Sequence, residues 1–290
     1  MNQRGVYLAG GPASPRAWAR LAAPLQQGYR FRDEPVLVPF QLHRCGDALL
    51  LARAGEEDAV AALNCLGVAI PGCERSATVV GMVEGGRIPH PVVELDGGAR
   101  VVVKEYLRGG AMRHLNRARY FFGNRAFEEL IATERARSAG VRVPEVLVAS
   151  ERRRLIGYTA YLATRWIAHG AHGEAWLRRA PWARCATVLA EAGRQIALMH
   201  DAGIAHPDLN LRNLLVVEPP GATEPLVYLL DFDRARLYDS PVPAPRRADD
   251  LERLGRSARK LGLALEDGQG WDALRSGYGE GWPLPTTSFT

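Results

Sequence analysis

Apolar and polar positions change their spacing several times along the chain. From Thr78 to Tyr106 apolar residues come in short runs: Thr78-Val79-Val80-Gly81-Met82-Val83, Val92-Val93-Glu94-Leu95 and Arg100-Val101-Val102-Val103-Lys104-Glu105-Tyr106. Such runs are strand-like, and Asp96-Gly97-Gly98 has the chemistry of a hairpin turn, so three antiparallel strands are predicted. The spacing then turns helical. Phe127, Leu130 and Ile131 share one helical face, and Gly140 ends the element before Val141-Arg142-Val143-Pro144. Val146-Leu147-Val148 and Tyr158 through Ala163 return to strand. Val188, Ala192, Ile196 and Met199 mark a second helix, which His200-Asp201-Ala202-Gly203 can end.

Two further strands follow, Leu214-Leu215-Val216-Val217 and a run ending in Leu229-Leu230, joined by a turn around Pro219-Pro220-Gly221. A helix from Asp249 to Leu261 lies beyond Pro241, Pro243 and Pro245. Residues 1–75 pattern less clearly. Ser14-Pro15 with Ala17, Trp18 and Leu21 reads as a helix start, Val36-Leu37-Val38 and Leu49-Leu50-Leu51 as short strands, and Glu56-Glu57-Asp58 as the opening of a helix through Leu63. No motif there carries chemistry. The division expected is an N-terminal extension (1–75), a sheet-rich lobe (76–164) and a mainly helical lobe (165–290), with Thr164-Arg165-Trp166-Ile167 as hinge, where an adenine ring would stack.

Between the second helix and the strand pair lies His206-Pro207-Asp208-Leu209-Asn210-Leu211-Arg212-Asn213, and Asp231-Phe232-Asp233 follows the last strand. An Asp, an Asn five residues on and a second Asp at a strand end are what phosphoryl transfer needs. The spacing is that of H-R-D-L-x-x-x-N and D-F-G, with Asp in place of the final Gly. Asp208 would accept or orient the acceptor's hydroxyl proton, Asn213 would reach a metal ion from the same loop, and Asp231 would bridge Mg²⁺ to the ATP phosphates. Asp and Asn are also common turn residues, and it is the strand-delivered Asp231 that separates this stretch from an ordinary polar loop.

Lys104 stands late in the third strand, where kinases place the lysine that contacts the α- and β-phosphates. It and Lys260 are the only lysines of a chain whose other cations are arginines, so a compact ammonium is what the position requires. On the helix that follows, Glu128, Glu129 and Glu134 are candidate partners for it. Gly85-Gly86 lies between the first two strands, where a loop would cover phosphates, without a G-x-G-x-x-G. No A-P-E follows Asp231, which argues against a protein substrate.

With 290 residues and 47% apolar content the chain can form two lobes of ordinary size. It has no run of 18 uncharged apolar residues and no apolar leader, so a cytosolic protein is expected. Cysteines 45, 65, 73 and 185 form no CxxC, and His169 and His172 lack an acidic or Cys neighbour, so neither a zinc site nor a disulfide framework is expected. The net charge of +5 suits phosphates or an anionic surface and gives weak support for nucleic acid. Arg108, Arg113, Arg117, Arg119 and Arg125 interleave with Tyr120, Phe121 and Phe122, a pattern suited to an anionic membrane surface or, for the aromatics, to packing beneath the sheet.

Over residues 79–282 the chain resembles the lipopolysaccharide kinase family. The likeness is carried by Lys104-Glu105-Tyr106-Leu107-Arg108-Gly109-Gly110, Arg119-Tyr120-Phe121-Phe122-Gly123, Arg125, Phe127, Glu129 and Val143-Pro144. It continues through Leu198-Met199-His200-Asp201-Ala202-Gly203, His206-Pro207-Asp208-Leu209-Asn210, Asp231-Phe232-Asp233-Arg234 and Arg253-Leu254-Gly255-Arg256-Ser257. The resemblance implies an α+β, bilobal, eukaryotic-protein-kinase-like fold, with an antiparallel-sheet N-lobe and a mainly helical C-lobe. It also implies ATP and Mg²⁺, and phosphorylation of the 3-deoxy-D-manno-octulosonic acid (Kdo) sugar on a lipid A precursor at the cytoplasmic face of the inner membrane. It selects Glu129 as the partner of Lys104. Pro207, where a small residue is usual, the poorly formed glycine loop and the long N-terminal segment depart from the pattern. A heptose or other small-molecule kinase of the same fold, and a catalytically silent nucleotide-binding protein, stay open as alternatives.

Overall fold

Ala48-Leu49-Leu50-Leu51-Ala52 is apolar at every position, and in the computed structural model all of it is buried together with Arg53. A strand apolar on both faces must be covered on both. Leu49 and Leu51 pack on one side with Phe127, Leu130 and Ile131, while Ala48, Leu50 and Ala52 pack on the other with Ala59, Ala62 and Leu63. The structure describes residues 6–9, 30–31, 34–35, 40–45, 48–64, 66, 76–83, 89–106, 125–153, 158–263 and 269–283. They fall into two compact units, Met1–Glu134 with Glu145–Trp166, and Arg135–Pro144 with Ile167–Thr290.

The first unit is built on an eight-stranded sheet. Its strands are β1 (Val6–Ala9), β4 (Phe40–Cys45), β5 (Ala48–Arg53), β6 (Ala77–Val83), β7 (His90–Leu95), β8 (Arg100–Glu105), β9 (Val146–Arg153) and β10 (Tyr158–Arg165); β2 (Arg30–Phe31) and β3 (Glu34–Pro35) form a separate pair. The order is β1-β4-β5-β9-β10-β8-β7-β6, antiparallel throughout except for β1 beside β4. The turn at Asp96-Gly97-Gly98 joins β7 to β8 as expected, with both glycines at positive φ. Residues 40–64, where the sequence carries no chemical motif but reads as a strand at Leu49-Leu50-Leu51 and a helix through Leu63, supply two strands and, through a 3-10 turn (Glu57–Val60) and the short helix α1 (Ala61–Asn64), the cover of one face. Val36–Val38 and the expected helix near Trp18 lie outside the described residues.

Helix α2 (Arg125–Ser138) covers the opposite face. Each large apolar side chain it buries there contributes about 1.5–3 kcal/mol. Arg53, 6% exposed, holds the helix from the sheet side: it pairs with Glu134 on α2, donates from Nε to the Val146 carbonyl at 2.7 Å, and lies over the Phe40 ring at 4.7 Å.

The second unit contains α3 (Gly173–Leu177), α4 (Trp182–Asp201), α5 (Ala244–Lys260) and α6 (Gln269–Tyr278). It also contains the sheet β11 (Gly170–His172), β13 (Leu214–Val217), β14 (Leu226–Leu229) and the pair β12 (Ile204–Ala205), β15 (Arg236–Leu237). The expected face of α4, Val188, Ala192, Ile196 and Met199, is buried. Gly193 and Gly277 let α4 and α6 approach closely: a Cβ at Gly193 would stand 2.0 Å from the Leu274 carbonyl oxygen, and one at Gly277 1.7 Å from that of Ala190. Helix α5 starts five residues ahead of its expected Asp249, because Pro245 occupies the first turn, where a missing N–H costs nothing.

Candidate active site

Strand alternation decides what surrounds Lys104. Val101 and Val103 point to the α1 face and are buried there, which sends Lys104 and Tyr106 to the face covered by α2. There Lys104 Nζ lies 2.6 Å from Glu129 Oε2, and the Tyr106 hydroxyl donates to the same oxygen. The Lys104 ammonium also sits 5.0 Å from the centre of the Tyr106 ring. The three glutamates of α2 have three surroundings: Glu128 is exposed, Glu129 meets Lys104, and Glu134 meets Arg53.

In the second unit, residues 206–213 form an irregular loop between β12 and β13, held together by its own asparagine side chains. Asn210 Oδ1 accepts from the amides of Arg212 and Asn213, and its Nδ2 donates to the Asp208 carbonyl at 2.8 Å. Asn213 Nδ2 donates to the same carbonyl at 2.9 Å. With its amide nitrogen so engaged, Asn213 presents its oxygen as the acceptor end, the donor type a hard cation takes. The Asp208 carboxylate is exposed, with Arg253 Nη1 3.4 Å from its Oδ1.

The strand pair delivers Asp231 as the spacing predicts, β13 and β14 being joined by eight residues. Both ends of the loop grip the residue before it. Leu230 donates its N–H to the Asn213 carbonyl at 2.8 Å and accepts from His206 Nε2 at 3.0 Å. Phe232 is buried with its ring 5.3 Å from that of His206, and Asp231 has φ 63°, a left-handed backbone that costs a non-glycine residue energy.

A buried chain of polar groups lies beneath the loop. Asp250 on α5 accepts the His206 N–H at 2.5 Å and faces His200 Nε2 at 3.3 Å; His200 Nδ1 is 2.7 Å from the Tyr278 hydroxyl, and Arg247 Nη1 is 3.2 Å from that hydroxyl. Burial holds His200 below the usual imidazole range despite Asp250, and burial also pushes the Tyr278 phenol up to about 12. The consistent proton arrangement is a neutral imidazole that donates to Asp250 and accepts from a protonated Tyr278, so His200 and Asp250 share a hydrogen bond rather than an ion pair.

Residues 75–278 match the model of the lipopolysaccharide kinase (Kdo/WaaP) family. The chain belongs to that family. It is 30% identical over 214 residues to the 3-deoxy-D-manno-octulosonic acid kinase of Actinobacillus succinogenes, spanning 70% of this chain and 86% of that one. To the kinase of the same name from Xanthomonas oryzae pv. oryzae it is 34% identical over 187 residues, spanning 61% and 69%. Among solved structures, WaaP in complex with acyl carrier protein matches with a TM-score of 0.50 at 22% identity over 69% of this chain and 78% of that one, a likeness of fold. As a lipopolysaccharide kinase the chain is a phosphotransferase that acts on a sugar hydroxyl.

This kinase also uses side chains to which the sequence gives no role. Tyr106 shares Glu129 with Lys104, Asp250 and Ser257 accept the loop amides of His206 and Leu211, and Arg253 meets Asp208. Positions 250, 253 and 257 form one stripe of a helix, a signal the sequence does contain. Gly85, Gly86 and residues 107–124, with four of the five clustered arginines, lie outside the described residues. His172 Nδ1 bonds the Arg212 carbonyl at 2.7 Å, and among the described residues no group of three or more His, Cys, Asp and Glu is placed to hold a metal ion.

Proposed function

We propose that the chain is an ATP- and Mg²⁺-dependent kinase that phosphorylates a hydroxyl of Kdo on a lipid A precursor, with the bilobal layout of eukaryotic-type kinases. The observation that carries this reading is the family match over residues 75–278, which takes in Lys104, Glu129, Asp208, Asn213 and Asp231 together, alongside relatives named for Kdo.

In this reading Lys104, steadied by Glu129 and Tyr106, contacts the α- and β-phosphates of ATP. Asp208 orients the acceptor hydroxyl and takes its proton. Asn213 and Asp231 hold Mg²⁺, which when bound neutralises charge on the transferring phosphoryl group; the amide oxygen of Asn213 and the carboxylate of Asp231 are the ligand types Mg²⁺ takes beside phosphate and water. Gly85 and Gly86 belong to the loop over the nucleotide. The test is mass spectrometry of a Kdo-bearing lipid A precursor after incubation with protein, ATP and Mg²⁺. One added phosphoryl group on Kdo is expected; phosphorylation of a heptose in its place, or none on any glycolipid, overturns the reading.

The acceptor's acyl chains bring the enzyme to the cytoplasmic face of the inner membrane as a peripheral protein. No helix among the described residues is long and apolar enough to cross a membrane. Arg108, Arg113, Arg117, Arg119 and Arg125 with Tyr120, Phe121 and Phe122 combine charge attraction to anionic lipid with shallow apolar insertion. Replacing Arg113 and Arg117 by Ala should reduce co-sedimentation with anionic vesicles, more at low salt. Equal co-sedimentation of parent and variant would locate docking elsewhere.

A further inference from the structure

Helix α5 runs beside the catalytic loop with Asp250, Arg253 and Ser257 toward it. Asp250 and Ser257 have evident tasks there, since each accepts a backbone N–H, from His206 at 2.5 Å and from Leu211 at 3.2 Å. Arg253 does something else. Among the described residues its partner is the carboxylate of Asp208, at 3.4 Å, with the two side chains 47% and 55% exposed. Charge-assisted bonds are usually nearer 2.7–2.9 Å, and an exposed pair of this kind adds about 1 kcal/mol or less, so holding the loop together is not its use. The neighbouring Arg256 is by contrast paired within its own helix, to Glu252.

The contact also obstructs. Asp208 must reach the acceptor's hydroxyl, and the guanidinium occupies one of its oxygens. The conflict disappears when the acceptor carries an anion of its own for Arg253. This step rests on the function proposed above: Kdo is a sugar acid, with a carboxylate on the same ring system as its hydroxyls. A hydroxyl within about 3 Å of Asp208 brings that ring beside the guanidinium, whose planar fork matches a carboxylate in two parallel hydrogen bonds.

We propose that Arg253 binds the carboxylate of the acceptor sugar, exchanging Asp208 for it as the acceptor arrives. Arg253 is then a specificity residue: it favours sugar acids over neutral sugars and releases Asp208 only when such a sugar is present.

The experiment compares kcat and KM of the parent, Arg253→Met and Arg253→Lys on a Kdo-bearing lipid A precursor and on the same precursor with the Kdo carboxylate converted to its methyl ester. The parent should favour the acid. Arg253→Met should raise KM for the acid on the order of 10- to 100-fold, the loss of one hydrogen-bonded charge contact, and should handle acid and ester alike. Arg253→Lys, which keeps the charge and loses the fork, should fall between and serves if the Met variant is unstable. An unchanged KM for the acid, or equal losses on acid and ester, overturns the assignment. A loss that persists on the ester but vanishes on a precursor stripped of its lipid A phosphates also overturns it and identifies phosphate as the anion. A parent that phosphorylates neither acceptor overturns the Kdo reading itself, a result distinct from all of these.

Discussion

Glu129 Oε2 lies 2.6 Å from Lys104 Nζ and accepts from the Tyr106 hydroxyl as well, so one buried carboxylate oxygen fixes both side chains of the β8 end. The ammonium is held from behind by an acceptor and from the side by a ring, which leaves its position rather than its charge as the constrained quantity. Lys104→Arg should therefore lower kcat/KM for ATP on the order of 10²-fold although the charge is kept. Tyr106→Phe leaves the Lys104–Glu129 pair intact and removes only the second hydrogen bond to that carboxylate, so a loss smaller than that of the arginine variant is expected. Steady-state kinetics with varied ATP check both, and an arginine variant with parental kcat/KM would remove Lys104 from the site.

Asp208 and Asp231 should fail differently. Asp208→Asn keeps the loop's backbone bonds, which run through its carbonyl, and removes the carboxylate proposed to take the proton; kcat should fall about 10²- to 10⁴-fold with nucleotide affinity retained. Asp231→Asn should weaken nucleotide binding in the presence of Mg²⁺ and leave Mg²⁺-free binding alone, because an amide is a poorer ligand for a hard cation. Titration calorimetry of the two variants with ATP, with and without Mg²⁺, separates them; identical profiles would mean that the two carboxylates do not divide the work in this way.

The Arg53–Glu134 pair tests whether residues ahead of the family-matched span support the site. Both are nearly inaccessible, at 6% and 1%. Arg53→Ala leaves Glu134 buried without its cation and should cost about 3–5 kcal/mol, whereas Arg53→Met with Glu134→Leu should cost far less. Urea unfolding measures both, and equal losses from the single and double changes would show that packing, not charge, makes the contact.

His200 gives the second unit an acid-sensitive stability. Burial lowers its folded pKa, against the opposing pull of Asp250, with Tyr278, Arg247 and Asp201 also near. The unfolded chain, titrating near about 6.5, binds the proton more readily, so this contribution is complete above that pH and is lost as pH falls below it toward the folded value. The urea midpoint should drop between about pH 7 and pH 5, and His200→Gln, weaker at neutral pH, should show a shallower dependence. A parent and variant with parallel pH curves would exclude His200 as the source.

Elements with their own period were legible in the sequence: the β7–β8 hairpin, the buried face of α4, the spacing from Asp208 to Asn213, and Asp231 at a strand end. The partner of Lys104 was not legible from spacing, because three glutamates on one helix differ only in what lies opposite them. Resemblance chose Glu129, and the structure puts the other two against solvent and against Arg53. The role of residues 40–64 was hidden for a related reason. Leu49-Leu50-Leu51 reads as a strand, but one buried on both faces has no alternation to say what covers each, and its neighbour β9 lies about a hundred residues further along the chain. Arg253 and Ser257 stood inside a family motif, yet their use depends on a loop more than forty residues away.

The placement of β5 bears on how this enzyme can be handled. A fragment cut to the family-matched span would begin at residue 75 and lose β5, whose Ala48–Ala52 are paired with Val148–Arg152 of β9. Strand β9 would then present a row of unsatisfied amides and carbonyls beside the apolar side chains of Phe127, Leu130 and Ile131, a ready template for another copy. Such a fragment would aggregate, and its inactivity would say nothing about the catalytic residues it still carries.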